Sequence, residues 1–201
     1  MQDYSAAIGE LGQSYLGKGD DKKVQEQIAK LAKIGTSDAT LAAISLKNQV
    51  TKPKILYSPA TNSTLPLIFG SIPLLAINSG FTAGASKDMT VKFAFNIDMD
   101  AKSVMNITNW SISKASGGEA GLYNNGLYSP KQVAIPAIPK QVSYDPLTRS
   151  ATLTFSVSQN STLDGRIDPS HLVFKFKGID SRGVAMDPEG DEYNGFRMES
   201  F

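Results

Sequence analysis

Thr90-Val91-Lys92-Phe93-Ala94-Phe95-Asn96-Ile97 decides the fold. Side chains of an extended strand alternate between two faces, so Val91, Phe93, Phe95 and Ile97 fall on one side and Lys92, Ala94 and Asn96 on the other. One face suits a core and the other suits water. The same period recurs downstream. Residues 109–113 set Trp110 and Ile112 together, residues 151–157 align Ala151, Leu153, Phe155 and Val157, and residues 172–176 align Leu172, Phe174 and Phe176. Strands that share this period, separated by turn-forming Gly, Pro, Asn and Ser, predict an antiparallel β-sandwich over residues 54–201, with Trp110 in its core. Shorter apolar runs at 54–57, 65–69 and 73–77 read as further strands.

Toward the N-terminus the period lengthens and residues 1–50 read as helical. Tyr4, Ile8, Leu11 and Tyr15 fall on one helical stripe, weakened by Gly9 and Gly12. Residues 21–34 place Val24, Ile28, Leu31 and Ala32 on one face, and Gly35 suits the C-cap. A third segment, capped by Ser37 or Asp38, turns Leu41, Ala42 and Ile44 inward before Pro53. The fold class is therefore α+β, a short helical region followed by the sandwich. Residues 115–140, rich in Gly, Asn and Pro, form an insertion between strands.

Composition narrows the function classes. The chain has 201 residues, 41% hydrophobic and 19% charged, which is the balance of a folding globular protein. Its 20 basic and 19 acidic residues leave a net charge of +1, with no field to draw nucleic acid or an anionic membrane. No cysteine is present, so disulfides, thiolate metal sites and cysteine nucleophiles are excluded. Residues 65–77 are too short and too broken by Pro66, Gly70 and Pro73 to span a bilayer, and Met1-Gln2-Asp3-Tyr4-Ser5 lacks the pattern of a secretory signal. Removal of a signal, export without one, and retention inside the cell all stay open.

The succession Val91-Lys92-Phe93-Ala94-Phe95, Met99-Asp100, Val104, Asn109-Trp110-Ser111-Ile112 resembles the opening strands of bacterial Ig-like domains of S-layer and other surface proteins. Val142-Ser143-Tyr144-Asp145 with Ala151-Thr152-Leu153-Thr154-Phe155 is similar to their middle hairpin. Leu172-Val173-Phe174-Lys175-Phe176-Lys177-Gly178-Ile179-Asp180-Ser181-Arg182-Gly183 is similar to their closing strand and turn. The resemblance covers residues 90–187; the insertion and the helical region depart from it. It implies an Ig-like sandwich with a structural, spacing or adhesive role in a secreted or cell-surface protein, and it supplies no catalytic residues.

Other motifs weigh little. Gly12-Gln13-Ser14-Tyr15-Leu16-Gly17-Lys18-Gly19 nears a P-loop, but Gly19 stands where a hydroxyl should ligate magnesium and a helix, not a strand, precedes it. His171, the one histidine, follows Asp168-Pro169-Ser170 and reads as a partly exposed residue at the start of a strand. Ser111-Ile112-Ser113-Lys114 matches Ser-x-x-Lys in a strand, where that chemistry does not occur. The four Asn-x-Ser/Thr sequons, at Asn62, Asn106, Asn109 and Asn160, matter only in a secretory-pathway protein.

Two features carry binding chemistry. Asp180, Asp187, Glu189, Asp191 and Glu192, with Asp98 and Asp100 within reach across a sandwich, could supply the oxygens that calcium requires, so calcium is the one cofactor candidate. Tyr123, Asn125 and Tyr128 in the insertion form a candidate ligand-binding loop. The expectation is a non-enzymatic structural or interaction module, extracellular or at the cell surface, whose partners are other protein domains or subunits. The alternative is a carbohydrate- or protein-ligand binding module using the 115–140 loop. Neither nucleic-acid binding nor membrane insertion is expected, and the acid–base groups form no constellation that would make an enzyme.

Overall fold

The computed structural model describes residues 4–57, 63–66, 70–115 and 131–194. The chain is mixed α+β and divides into two compact units, Met1–Lys52 and Pro53–Phe201. In the first, α1 (Ser5–Gly17), α2 (Asp21–Ile34) and α3 (Ser37–Val50) surround a core of Val24, Leu31, Ala39 and Leu46. Helix α2 has the bounds its pattern predicts: Asp20 Oδ1 accepts from the Lys23 amide at 3.2 Å, and Gly35 ends the helix with φ of 70°.

The faces of α1 and α3 differ from their hydrophobic reading. Tyr4 and Leu11 are exposed while Ser5 and Gly12 are buried. A Cβ on Gly12 would meet Leu46 Cδ1 at 2.4 Å, so the bare glycine lets α3 close on α1. Close approach of backbones wins over the apolar stripe. On α3, Ala39 and Leu46 turn inward, Ala42 is half-buried, and Leu41 and Ile44 are 66% and 50% exposed. The cap is Thr36, whose Oγ1 accepts from the Ala39 amide, and not Ser37 or Asp38. On α2, Ala32 is exposed and Gln27 is buried.

The second unit contains β1 (Ile55–Tyr57), β2 (Ile72–Pro73), α4 (Leu74–Ile77), β3 (Ser86–Phe95), α5 (Ala101–Met105), β4 (Trp110–Lys114), β5 (Gln141–Asp145), β6 (Ser150–Ser158), β7 (Arg166–Ile167), β8 (Leu172–Phe176) and β9 (Glu192–Asn194). One sheet runs β1-β3-β6-β5, another runs β4-β8-β9, and β2 pairs with β7. The long pair β3–β6 is antiparallel from Ser86↔Ser158 to Ala94↔Ser150. Its inward positions Val91, Phe93, Phe95, Leu153, Phe155 and Val157 are buried, as the alternation predicts, and Met89 continues the face upstream, whereas Ile97 lies half-buried in a bend beyond the end of β3. The stretch read as a strand at 73–77 is instead the end of β2 and one helical turn, because Leu74 must reach the core beside the β2–β7 pair. Leu65 lies in a bend, and 67–69 fall outside the described residues.

Aromatic rings join the two larger sheets. Trp110 on β4 stacks on Phe93 of β3 with centroids 5.9 Å apart and meets Phe176 of β8 at 4.5 Å. Phe93 also contacts Phe174 at 5.2 Å, and Phe95 contacts Phe176 at 5.5 Å. The indole N–H donates to the Val104 carbonyl at 2.8 Å, so the ring is buried with its polar edge satisfied.

Phe93→Ala is expected to destabilise the β unit by about 3–5 kcal/mol, whereas Leu41→Ser should change stability by no more than about 0.5 kcal/mol. Denaturant melts of both variants check this, and a large cost at Leu41 would mean that its side chain is covered.

Candidate functional site

The carboxylates singled out for calcium lie on the segment that follows β8. Phe176 and Ser103 crowd Gly178, where a Cβ would lie 2.1 Å from a ring carbon and 2.6 Å from Ser103 Oγ, so the chain can turn there only without a side chain. Asp180 is 1% exposed and closes the next turn. Its Oδ1 accepts from the amides of Arg182 and Val184 at 2.8 and 2.9 Å, and its Oδ2 accepts from Arg182 Nε and Nη2 at 2.8 and 2.6 Å. Gly183 supplies the positive φ of 83°. This is a filled coordination sphere made of N–H donors.

The remaining acids are held apart. Asp187 Oδ2 lies 3.0 Å from Lys54 Nζ, and its Oδ1 accepts from the Glu189 amide. Asp191 Oδ1 is 3.0 Å from Lys175 Nζ, a charge contact without well-directed hydrogen-bond geometry, and Glu192 is 4.0 Å from the same ammonium. Met99 bridges to Asp180 through the backbone, so the neighbourhood expected for Asp98 and Asp100 is real. Their carboxylates point elsewhere, Asp98 to Arg149 Nε at 2.7 Å and Asp100 to the Ser103 amide at 2.6 Å. Among the described residues no three acids or histidines converge on a metal position.

An open groove of about 490 Å³ borders this segment, lined by Ser103, Asn109, Lys177, Ile179, Met186 and Asp191. Asn109 Nδ2 donates to the Ser103 carbonyl, and Ser103 Oγ accepts from the Ile179 amide, so both polar side chains brace the groove wall.

His171 is buried, 7% exposed, which corrects its reading as partly exposed. It ends a short 3-10 turn, Pro169–His171, and its Nδ1 lies 3.5 Å from Asp168 Oδ2. Ser170 Oγ donates to Asp168 Oδ1 at 2.5 Å rather than to the imidazole, so the three residues do not form a nucleophilic relay. Lys114 Nζ donates to the Val133 carbonyl, away from a paired role with Ser111, whose side chain points to solvent. The Gly12–Gly19 stretch is the end of α1 and its following turn.

Tyr123, Asn125 and Tyr128 lie outside the described residues. The flanks of their loop are placed. Ala115 N donates to the His171 carbonyl, Arg166 N to Lys131 O, and Val133 N to Arg166 O, so both stems meet the same 166–171 segment. Residues 131–140 are then tied down at three places: 131–133 on Arg166, Ala137 O accepting from Ile112 N of β4, and Lys140 N donating to Thr154 O of β6. Residues 131–140 are thus part of the fold, bonded to β4, β6 and β7.

The chain is similar to fragments of an S-layer protein. The N-terminal part of the bacterial S-layer protein SbsC shares 14% identity over 94% of this chain and 37% of that chain, with a TM-score of 0.46. Domains 1-6 of surface layer protein SbsC share 16% identity over 94% of this chain and 22% of that chain, with a TM-score of 0.44. The chain therefore spans well under half the length of either. No family model matches it, and no curated protein does.

Sequence reading overlooked the cations that neutralise the acids: Lys54, Lys175 and Arg182. Arg182 was legible, since Asp-Ser-Arg-Gly is an Asx-turn sequence with glycine at the left-handed position. Lys54 comes from the chain just before β1 and Lys175 from β8 across its pairing with β9, and neither had a local signal.

Elsewhere, hydrogen bonds depress surface carboxylates. Ser156 Oγ and then Lys140 hold Asp88 below its ordinary 3.8, Thr148 Oγ1 does the same at Asp145, and Lys131 with Thr162 and Asn160 holds Asp164 well below it. A depressed carboxylate contributes stability in full above its unfolded value and loses it as pH falls through the lower folded value. Thermal melts are therefore expected to be flat above about pH 5 and to fall below about pH 4.

Asp180→Ala strips the acceptors from the 180–184 turn and should cost about 2–4 kcal/mol, read by chemical denaturation. Because calcium would have to displace Arg182, Lys54 and Lys175, chelator is expected to leave the melting temperature unchanged. A saturable calcium heat with a raised melting temperature would reverse that reading.

Proposed function

We propose that this chain is a non-enzymatic structural and interaction module of a bacterial surface-associated or secreted protein, a helical unit joined to an Ig-like β-sandwich. The strand order supports the Ig-like part. Sheets ordered β1-β3-β6-β5 and β4-β8-β9 correspond to ABED and CFG when the seven strands are lettered along the chain, which is the arrangement of constant-type Ig domains. Trp110 then sits on strand C, where such domains bury a tryptophan. The Phe93–Phe174 contact joins strands B and F, the pair that antibody domains link by a disulfide. A chain without cysteine meets the same need with rings.

Fold alone does not assign function. The observation that carries the structural reading is where the charges go. Asp180, Asp187 and Asp98 pair with Arg182, Lys54 and Arg149 to close turns or tie strands, and Ser170 and His171 both address Asp168. These carboxylates are engaged in holding the fold, and the one acid on the groove wall, Asp191, lies 3.0 Å from Lys175 Nζ. Neighbouring domains or subunits are the partners that fit such a module. The resemblance of residues 90–187 to bacterial surface domains favours the same reading.

One observation favours a second reading, a glycan- or protein-binding loop. The chain on either side of residues 116–130 is bonded to one segment, Ala115 to His171 and Lys131 to Arg166, so both ends of the candidate loop are fixed to the fold. This reading requires a ligand whose capture is lost when those residues are removed.

Surface placement is checked with the chain's lack of cysteine. Leu147, 94% exposed in the β5–β6 turn, becomes the single thiol in Leu147→Cys. A membrane-impermeant maleimide is expected to label the variant on intact producing cells or in their medium. Labelling only after lysis would overturn the surface reading.

A further inference from the structure

The first residues of the β unit are fastened more densely than a three-residue edge strand requires. Lys54 N donates to Asn96 Oδ1 at 2.7 Å, and Asn96 N returns a bond to Lys54 O at 3.2 Å. Pro53 O accepts from Asp187 N at 2.9 Å, and Ile55 N donates to Gly190 O at 2.8 Å. Lys54 Nζ reaches Asp187 Oδ2 at 3.0 Å, while Asp187 O accepts from Gly190 N within the same turn. A Cβ on Gly190 would meet Lys54 Cγ at 2.6 Å, so the lysine stem lies flat on a bare backbone. Ile55 itself is fully buried and is registered with Phe95.

Two features make this more than local packing. Through Ile55↔Phe95 the segment belongs to the four-stranded sheet, and through Gly190, two residues before β9, it is bonded to the chain entering the three-stranded sheet. It is also the point where the β unit receives the chain from the helical unit, one residue beyond Lys52. Any pull on the chain from that side arrives at Pro53.

We infer that residues 53–55, clamped between Asn96 and the 187–190 turn, are a load-bearing anchor that delivers tension from the N-terminal side into both sheets at once. This rests on the structural-module reading and adds where that module takes up force. The strand is short and its register with β3 is irregular, so ladder bonds alone would peel one at a time. The Lys54–Asp187 pair and the bonds to Asn96 and Gly190 load together, which is the arrangement that resists peeling.

The test is force spectroscopy with cysteine handles, which this cysteine-free chain permits in two geometries. Handles at Lys52→Cys and Leu147→Cys load the anchor; handles at Lys177→Cys and Leu147→Cys, all exposed positions, bypass it. In each geometry Lys54→Ala is compared with the parent, and Asp187→Asn serves as a second variant that keeps an acceptor for the Glu189 amide. The expected result is unfolding under constant load about tenfold faster for both variants in the first geometry, with little change in the second. Equal acceleration in both geometries would reduce the clamp to ordinary stability, and no acceleration in either would remove it; both overturn the anchor. The surface labelling of Leu147→Cys is read independently, so failure of the anchor and failure of the surface-module reading are separate results.

Discussion

The contact between Trp110 and the rings of Phe93 and Phe176 is the constraint on which the β unit depends. Two sheets whose inner faces are apolar must bury them against each other, and here that joint is made by large rings from β3, β4 and β8. Each ring adds buried area and a preferred geometry, and the indole hydrogen bond to Val104 also draws α5 into place. The long β3–β6 ladder supplies the platform, and because Phe176 fills the space beside position 178, the turn there requires a glycine.

Around that core, charge serves geometry. Asp180 organises its turn with backbone and guanidinium donors, Asp100 caps α5, and Asp187 links a late turn to the first strand. A cluster of acids in the sequence thus becomes a set of separate fastenings. Arg182 meets Asp180 within one local turn, whereas Lys54 and Lys175 reach Asp187 and Asp191 only through the pairing of distant segments. The same logic holds at Asp168, where a buried acid gathers Ser170 and His171 around one short turn.

Most of the β core was legible because a strand buried on one face alternates, and Val91, Phe93, Leu153, Phe155, Phe174 and Phe176 obey that rule without exception. Helix α2 was legible for the parallel reason, with a capped start and a glycine end. The failures share a cause. At Gly12 and at Leu41 the deciding quantity was how closely two helices approach, which depends on the shape of the facing surface and not on hydrophobicity alone. At 73–77 an apolar run was consistent with strand or helix, and the nearby β2–β7 pair selected a single helical turn. Of the candidate site, the acids themselves were legible and their partners mostly were not.

By itself the sequence determined the α+β class, the change from a helical to an alternating period after residue 53, and the inward faces of the long strands, because these follow from local periodicity. Only the tertiary structure decided which strands are neighbours, which cation meets each carboxylate, and that β1 is bonded both to β3 and to the turn before β9. The bonds of Lys54 to Asn96 and to Asp187 join residues more than forty positions apart in the chain, and no short-range pattern encodes a pairing that exists only once both sheets have closed on the same core.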